Sequence, residues 1–200
     1  MEEDSYFTIK AVAEGIYKEK GSKFYAFAYP VSNEDEIKSC LQELKKQYYD
    51  ARHHCYAYIL GKDKLNYRSN DDGEPGNSAG PPILGQIRSK ELTDVLVVVV
   101  RYFGGTKLGV GGLITAYKTS TQEALENAEI ITKYLEKEFK ITFEYPQMND
   151  VMKLVKDFDL KILDQYFEQD CVMRLIVREK YANELELKLK KIDGLRLKVY

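Results

Sequence analysis

The most constraining feature of the chain is an unbroken apolar run followed at once by a glycine-rich segment. The run is DVLVVVV, residues 94–100, and the segment RYFGGTKLGVGG, residues 101–112, contains five glycines. An apolar run without alternation is typical of a strand covered on both faces, so we expect this strand at the centre of a sheet. A helix is predicted from about Leu113 to Asn127, because apolar and small residues recur there at helical spacing. The glycines therefore lie where a buried strand passes into a helix.

A glycine-rich connection between a strand and a helix can hold an anion, because backbone N–H groups and the helix dipole both favour negative charge there. The spacing does not match a P-loop, since Val110 follows Gly109 where Lys is required, and G-x-G-x-x-G does not fit either. No acidic residue lies between Arg101 and Lys118. Two explanations stay open: contact with an anion or a ligand backbone, and close packing of the helix start with positive φ at some glycines.

We expect a phosphate or nucleic-acid site around this segment. Cationic side chains would contact phosphate, glycine amides would approach the ligand backbone, and one of two aromatic side chains would stack on a base. The candidate residues are Arg101, Tyr102, Phe103, Gly104, Gly105, Lys107, Gly109, Gly111, Gly112 and Lys118.

The segment ARHHCYAY, residues 51–58, supplies two further candidates for a groove beside the glycines. Alternation along a strand places His53 and Cys55 on one face and His54 on the other, which disfavours a shared zinc ion. Two arrangements fit this pattern: one histidine packs in the core, or a polar face of the strand points toward the groove.

The segment SNDDGEPGNSAG, residues 69–80, adds three acids to the candidate groove. Three roles are open to Asp71, Asp72 and Glu74: binding a divalent cation, acting as acid and base, or capping their own backbone. The calcium-loop spacing is absent, and we expect neither a resident metal nor a cofactor. No cysteine and histidine stand at a spacing typical of a catalytic pair, so the sequence gives no support to nucleophilic catalysis by cysteine.

The remaining pattern predicts an α+β protein of two domains, residues 1–134 and 135–200. From Glu136 onward the order of elements is βαββαβ over about 65 residues, which is the split-βαβ, ferredoxin-like motif. Before the apolar run the predicted elements are a hairpin over residues 7–31 with its turn around 18–22, a helix capped by Ser32 or Asn33, a strand at 53–60, a long polar loop at 61–82 and a short helix at 83–92.

Composition narrows the function classes. The formal net charge is −2, so nucleic-acid binding would depend on a local patch. The start, MEEDSYFTIK, lacks the basic and apolar parts of a signal peptide, and no apolar run approaches the ~20 residues of a membrane span, which favours the cytoplasm. The three cysteines have no paired spacing, so we expect no disulfide framework.

Four segments together resemble the IMPACT family in its bacterial YigZ-like form. They are GSKF (residues 21–24), ARHHCYAY (51–58), DDGEPGNSAGPPIL (71–84) and VVVVRYFGGTKLGVGGLITAY (97–117), the last being the family's signature. The βαββαβ tail is similar to the smaller C-terminal domain of bacterial members. Where the family usually has G-T-A-G, this chain has Asn77-Ser78-Ala79-Gly80, and Asn77 should preserve the turn because Asn tolerates the left-handed region.

The resemblance implies a first domain like the second domain of a small-subunit ribosomal protein and a second domain like domain V of elongation factor G. It also implies a cytoplasmic protein that contacts RNA, the ribosome or a protein of the translation machinery, and a link to regulation of translation. One alternative is an enzyme acting on a phosphorylated small molecule, with a metal on Asp71, Asp72 and Glu74 and with His53 or His54 as acid or base. A second alternative is a protein-interaction module that recognises its partner through residues 136–200.

Overall fold

The computed structural model describes residues 2–168 and 170–200. The chain divides into two compact units, one of Tyr6–Lys133 and one of Tyr134–Tyr200 together with the chain start up to Ser5. We propose that these units are the two domains expected from the sequence, with the chain start assigned to the second. Each unit has its own buried apolar core.

The chain up to residue 134 forms seven strands and three helices. They are β1 (Ser5–Ile9), β2 (Ala13–Glu19), β3 (Ser22–Pro30), α1 (Glu34–Gln47), β4 (His53–Leu60), β5 (Asn66–Asn70), α2 (Gly80–Ser89), β6 (Val95–Tyr102), α3 (Gly109–Glu126) and β7 (Ile130–Tyr134). Five strands make an antiparallel sheet in the order β2-β3-β6-β4-β5, while β1 and β7 form a small sheet of their own. The apolar run is therefore the central strand, as predicted.

Both faces of the five-stranded sheet are covered, which explains why β6 is apolar without alternation. Val95, Val97 and Val99 pack in one cluster with side chains of α2 and α3. Leu96, Val98 and Val100 point to the opposite face, into a cluster that includes Ile37 and Leu44 of α1. Because β3 and β4 are both antiparallel to β6, they are parallel to each other, and β6 is inserted between them in a split βαβ arrangement.

The rest of the chain forms a four-stranded sheet and two helices. They are β8 (Glu136–Phe143), a 3₁₀ turn (Tyr145–Gln147), α4 (Met148–Asp157), β9 (Lys161–Phe167), β10 (Cys171–Arg178), α5 (Glu179–Leu189) and β11 (Arg196–Val199). The antiparallel strand order β11-β8-β10-β9 is that of the ferredoxin-like, split-βαβ motif. The predicted α+β class is confirmed.

Several local predictions are confirmed by backbone geometry. Asn33 caps α1, and its Oδ1 accepts hydrogen bonds from the N–H groups of Asp35 and Glu36 at 3.0 and 2.9 Å. The β2–β3 turn is formed by Lys20 and Gly21, both at positive φ. Asn77 lies at φ +63°, so Asn keeps the left-handed turn in this position.

The largest differences from the predicted elements lie around the polar loop and the glycines. Residues 61–82 were expected to form a loop, but β5 lies within them and pairs with β4. Helix α3 begins at Gly109, four residues before the predicted start at Leu113. Glycine has a low intrinsic helix propensity, and here the surrounding tertiary packing overrides it.

Candidate functional site

A cavity of about 460 Å³ lies beside the first turn of α3. Its lining combines apolar and polar side chains from four segments: the start of β4, the loop before α2, the end of β6 and the glycine-rich connection. The apolar part consists of Pro75, Phe103, Leu108, Val110 and Leu113, with the Gly109 backbone, and the polar part of Arg52, His53, Glu74, Arg101 and Lys107. Among the candidate residues, the structure thus brings His53, Glu74, Arg101, Phe103, Lys107 and Gly109 together.

Arg101 and Glu74 form a buried ion pair at the cavity wall. Strand register places Arg101 opposite Phe24 of β3 and His53 of β4. Its Nη1 donates to Glu74 Oε1 at 2.6 Å, and the two side chains are only 7% and 4% exposed. The guanidinium was expected to bind phosphate, but Glu74 already holds it. Arg101 Nε is buried and donates to no described residue.

Tyr117 of α3 and Cys55 of β4 complete this buried polar group. Tyr117 Oη donates to Glu74 Oε1 at 2.8 Å, and Cys55 Sγ lies 3.3 Å from Tyr117 Oη and 3.0 Å from the Asp71 carbonyl oxygen. Burial raises the pKa of both the Cys55 thiol and the Tyr117 phenol, so both stay protonated near neutral pH. A protonated, enclosed thiol is a weak nucleophile, and this group therefore orients Glu74 and Arg101 without offering a reactive sulfur.

The carboxylates of Asp71 and Asp72 both accept hydrogen bonds from backbone N–H groups of the protein. Asp71 Oδ1 accepts from the N–H groups of Ala79 and Gly80 at 2.9 and 2.8 Å, and its Oδ2 accepts from Asn77 N–H at 2.8 Å. This carboxylate therefore caps the start of α2, which explains why the helix begins at Gly80 and not at Ile83. Asp72 Oδ2 accepts from the backbone N–H of His54 at 2.7 Å.

The metal alternative does not fit this arrangement. Each of the three acids accepts hydrogen bonds from a different part of the protein. Asp71 binds the start of α2, Asp72 binds the backbone of β4, and Glu74 binds the side chains of Arg101 and Tyr117. Over residues 2–168 and 170–200, no group of three acidic, histidine or cysteine side chains is placed to hold a metal ion. Of the three roles considered for these acids, capping is the one that Asp71 performs.

The two histidines lie on opposite faces of β4, as alternation predicts. His53 Nδ1 lies 2.9 Å from the Asp72 carbonyl oxygen. Because a carbonyl only accepts, Nδ1 carries a proton, and in the neutral ring Nε2 is then an acceptor. His53 borders the cavity. His54 is buried, burial lowers its pKa, and its Nε2 makes no hydrogen bond to a described residue. His54 therefore does not belong to the cavity.

The candidate side chains of Tyr102 and Lys118 also lie outside the cavity lining, as do the candidate glycines other than Gly109. Tyr102 follows Arg101 on β6, so its side chain points to the opposite face of the sheet, where its Oη donates to Asp50 at 2.6 Å. That hydrogen bond raises the pKa of Tyr102 to about 12. Lys118 is exposed further along α3 and does not line the cavity. Between the two aromatic candidates, only Phe103 is therefore available to a ligand in the cavity.

Structural reasons account for four of the five glycines. A Cβ on Gly104 would lie 1.9 Å from the carbonyl carbon of Gly21, and one on Gly112 would lie 3.0 Å from Leu108 Cβ. Gly105 and Gly109 adopt φ values of +88° and +73°. Gly111 differs, because its φ is not in the left-handed region and an added Cβ would meet nothing within 4 Å.

The first turn of α3 has no side-chain cap. Leu108 occupies the N-cap position without a capping hydrogen bond, and the first turn contains no acid. Free backbone N–H groups and the helix dipole therefore give this end partial positive charge. Sequence reasoning missed the cavity residues Arg52, Pro75, Leu108, Val110 and Leu113, although Arg52 is adjacent to the histidine pair that it did select.

Comparison with known proteins identifies the family. Residues 20–125 match the family model described as the Impact N-terminal domain. The chain is 33% identical over 179 residues to IMPACT family member YvyE of Bacillus subtilis, covering 90% of this chain and 82% of that protein. It is 30% identical over 172 residues to IMPACT family member YigZ of Escherichia coli, covering 85% and 84%.

The likeness extends to a eukaryotic protein and to a solved structure. Protein IMPACT of Rattus norvegicus is 36% identical over 96 residues, which is 46% of this chain and 30% of that protein. The crystal structure of a protein described as hypothetical superposes with a TM-score of 0.74 at 28% identity, covering 97% of this chain and 96% of the other. The expected resemblance is therefore confirmed, and this chain belongs to the IMPACT family.

Proposed function

We propose that this protein binds RNA, free or within the ribosome, through the cavity beside α3, and that this binding serves regulation of translation. The observation that carries the proposal is the combination of exposed cations, an exposed aromatic ring and an uncapped helix start around one cavity. The eukaryotic relatives that bear the IMPACT name support the link to translation, because the resemblance implies that role for the family.

The local charge supports an anionic ligand although the whole chain carries a net charge of −2. Arg52 and Lys107 are exposed at the cavity and form no ion pair with a described residue. The charges of Arg101 and Glu74 cancel within their buried pair. The cavity therefore carries two uncompensated positive side chains plus the positive end of α3, which attracts phosphate.

The proposal is tested by removing the two exposed cations together. Arg52→Ala with Lys107→Ala should weaken binding of a single-stranded RNA oligonucleotide, and the slope of log K against log salt should become shallower by about 0.7 for each phosphate that the variant no longer neutralises. Fluorescence anisotropy at several salt concentrations measures both quantities. Arg101 is unsuited to this test, because its removal would leave Glu74 buried without a partner.

A matched control separates a local effect from a change in total charge. Lys45 and Lys46 lie exposed on α1, on the other face of the sheet, and Lys45→Ala with Lys46→Ala removes the same charge. RNA affinity and salt slope that respond equally to both double variants would show that the cavity is not the binding site. Weaker binding confined to the cavity variant supports the proposal.

The enzyme alternative receives less support from the geometry. A volume of about 460 Å³ suits a small molecule. However, the acids proposed to hold a metal are engaged within the protein, and Cys55 is enclosed and protonated. A thermal-shift screen of nucleotides and sugar phosphates with magnesium would favour the enzyme if one small ligand gave a specific shift and RNA gave none.

The interaction-module alternative would place recognition in residues 136–200, and capture of a partner by that segment alone would favour it.

As to membranes, none of the helices in the described part of the chain is both long and apolar enough to span a bilayer.

A further inference from the structure

The cavity offers an apolar interior with a charged rim, which constrains the ligand more than positive charge alone. Phe103 and Val110 are each 51% exposed, and Leu108, Leu113 and Pro75 complete an apolar surface beside them. Exposed apolar surface within a polar rim is typical of a binding site. A bare phosphate would leave this apolar surface unused, so the preferred ligand has a flat or apolar part as well as an anionic part.

The polar groups that remain free lie beside the apolar surface. Arg52 and Lys107 are exposed at the cavity, form no ion pair with a described residue and offer N–H donors. In its neutral form His53 offers an Nε2 acceptor, since its Nδ1–H donates to the Asp72 carbonyl oxygen. A donor and an acceptor beside an apolar surface suit the edge of a nucleobase.

We propose that the cavity receives one unstacked nucleotide, with its base against Phe103 and its phosphate near Lys107 and the first turn of α3. This inference rests on the proposed function and narrows it to single-stranded RNA, because a base in a duplex is stacked between its neighbours and cannot enter. The volume of about 460 Å³ lies in the range of small-ligand sites. A free nucleoside monophosphate has the same chemistry and is the other source of such a ligand.

The first experiment compares three RNAs of one sequence, namely a single strand, the same strand in a duplex, and a single strand with abasic positions. Fluorescence anisotropy of the full chain should show the intact single strand binding about tenfold more tightly than the other two, because base stacking on an aromatic ring contributes on that scale. Equal affinity for all three RNAs would overturn the inference. If that equal binding kept its dependence on Arg52 and Lys107, the proposed function would still hold.

The second experiment removes the ring. Phe103→Ala should weaken single-strand binding about tenfold and leave duplex binding unchanged, while Phe103→Tyr should retain the affinity because it keeps a stacking surface. Tyr49→Ala is the matched control, since Tyr49 is 84% exposed on the surface and does not line the cavity. Equal decreases in affinity in the Phe103→Ala and Tyr49→Ala proteins would contradict the assignment of Phe103.

The third experiment identifies the source of the nucleotide. Adenosine and uridine monophosphates are titrated alone and as competitors of the labelled single strand. Competition that disappears in Phe103→Ala would support one shared nucleotide site. Saturable binding of a monophosphate without any RNA binding would uphold the nucleotide cavity and overturn the RNA proposal. If neither the monophosphates nor the RNA bound, both the nucleotide cavity and the RNA proposal would be overturned.

Discussion

At the scale of single residues, the glycine-rich segment separates into positions with different physical requirements. Gly104 is fixed by its close approach to the Gly21 backbone, and Gly105 and Gly109 by positive φ. Gly111 has neither requirement, although glycine is unfavourable in a helix by roughly 1 kcal/mol relative to alanine. A ligand that approaches the first turn of α3 would explain why a side chain is missing at this position.

We expect Gly111→Ala to stabilise the protein and to weaken RNA binding. Alanine should raise the free energy of unfolding by up to about 1 kcal/mol because it favours the helix, whereas its methyl group would occupy space that the ligand backbone needs. Thermal unfolding and fluorescence anisotropy measure the two effects.

Gly85 provides the control for this prediction. It lies within α2, and its added Cβ would also meet nothing within 4 Å. Gly85→Ala should give a comparable stabilisation with unchanged RNA affinity. If Gly111→Ala and Gly85→Ala both left RNA binding intact, the first turn of α3 would not be part of the interface.

At the scale of elements, the cavity exists because a strand end, a loop and a helix share one buried polar group. β6 supplies Arg101, the loop before α2 supplies Glu74, and α3 supplies Tyr117. The side chains of Arg101 and Glu74 are only 7% and 4% exposed, and charges so deeply buried are tolerated only beside each other. This group therefore holds the strand, the loop and the helix in a fixed arrangement. The same ion pair keeps the Arg101 guanidinium in the cavity wall.

The prediction at this scale concerns the ion pair. Arg101→Ala or Glu74→Ala alone should lower the free energy of unfolding by about 3–5 kcal/mol, because each leaves an uncompensated buried charge. Arg101→Met combined with Glu74→Leu should be less destabilised than either single variant. Urea unfolding followed by circular dichroism measures these differences.

An exposed ion pair serves as the reference. Lys38 and Asp35 of α1 are 66% and 90% exposed at the side chain, and Lys38→Ala should change the free energy of unfolding by less than about 1 kcal/mol. A decrease in stability for Arg101→Ala no greater than that for Lys38→Ala would contradict the organising role of the buried pair.

At the scale of the whole molecule, the start of the chain belongs to the unit formed by its end. The Asp4 carbonyl oxygen accepts from Leu135 N–H at 2.7 Å, and Asp4 Oδ1 accepts from Arg178 Nη2 at 2.8 Å. Arg178 also pairs with Glu2, and its guanidinium lies 3.5 Å from the ring centroid of Tyr134. The hydrogen bond from Arg178 lowers the pKa of the Asp4 carboxyl.

The prediction at this scale is a pH-dependent contribution of Asp4 to stability. Because the pKa of Asp4 in the folded protein lies below its ordinary value of 3.8, the contribution is fully present above pH 3.8 and is lost as the pH falls through the lower value. Asp4→Asn should therefore be less stable than the parent near neutral pH, and the difference should shrink below pH 3.8. Urea unfolding at a series of pH values measures it.

Asp157→Asn is the control, since Asp157 is an exposed carboxylate near the end of α4. It should leave the pH profile close to that of the parent. An Asp4→Asn protein whose stability deficit stayed constant from pH 7 to pH 3 would show that the deficit comes from packing and not from the ion pair.

Much of the fold was predictable because it depends on local patterns. The unbroken apolar run predicted the central strand, the Asn33 cap predicted the start of α1, and alternation separated His53 from His54. β5 was not predictable in this way, because NYRSN has little apolar character and becomes a strand by pairing with β4. The early start of α3 likewise depends on tertiary packing that overrides the low helix propensity of glycine.

The candidate site was predictable only in part. Arg101, Phe103 and Lys107, which were selected from the sequence, line one cavity because they lie close together in the chain. It could not show that Glu74, 27 residues away, holds the Arg101 guanidinium, nor that Tyr102 faces the other side of the sheet. Those facts depend on strand pairing and on which charges become buried together.

The α+β class, the central strand, the family and the glycine-rich connection follow from residue types and from their spacing along the chain. Which charges remain free for a ligand depends instead on how the chain packs. Arg101 and Glu74 neutralise each other, Asp71 caps α2, and Arg52 and Lys107 are left exposed beside Phe103. A buried charge needs a partner close to it in space, and that partner can lie anywhere along the chain.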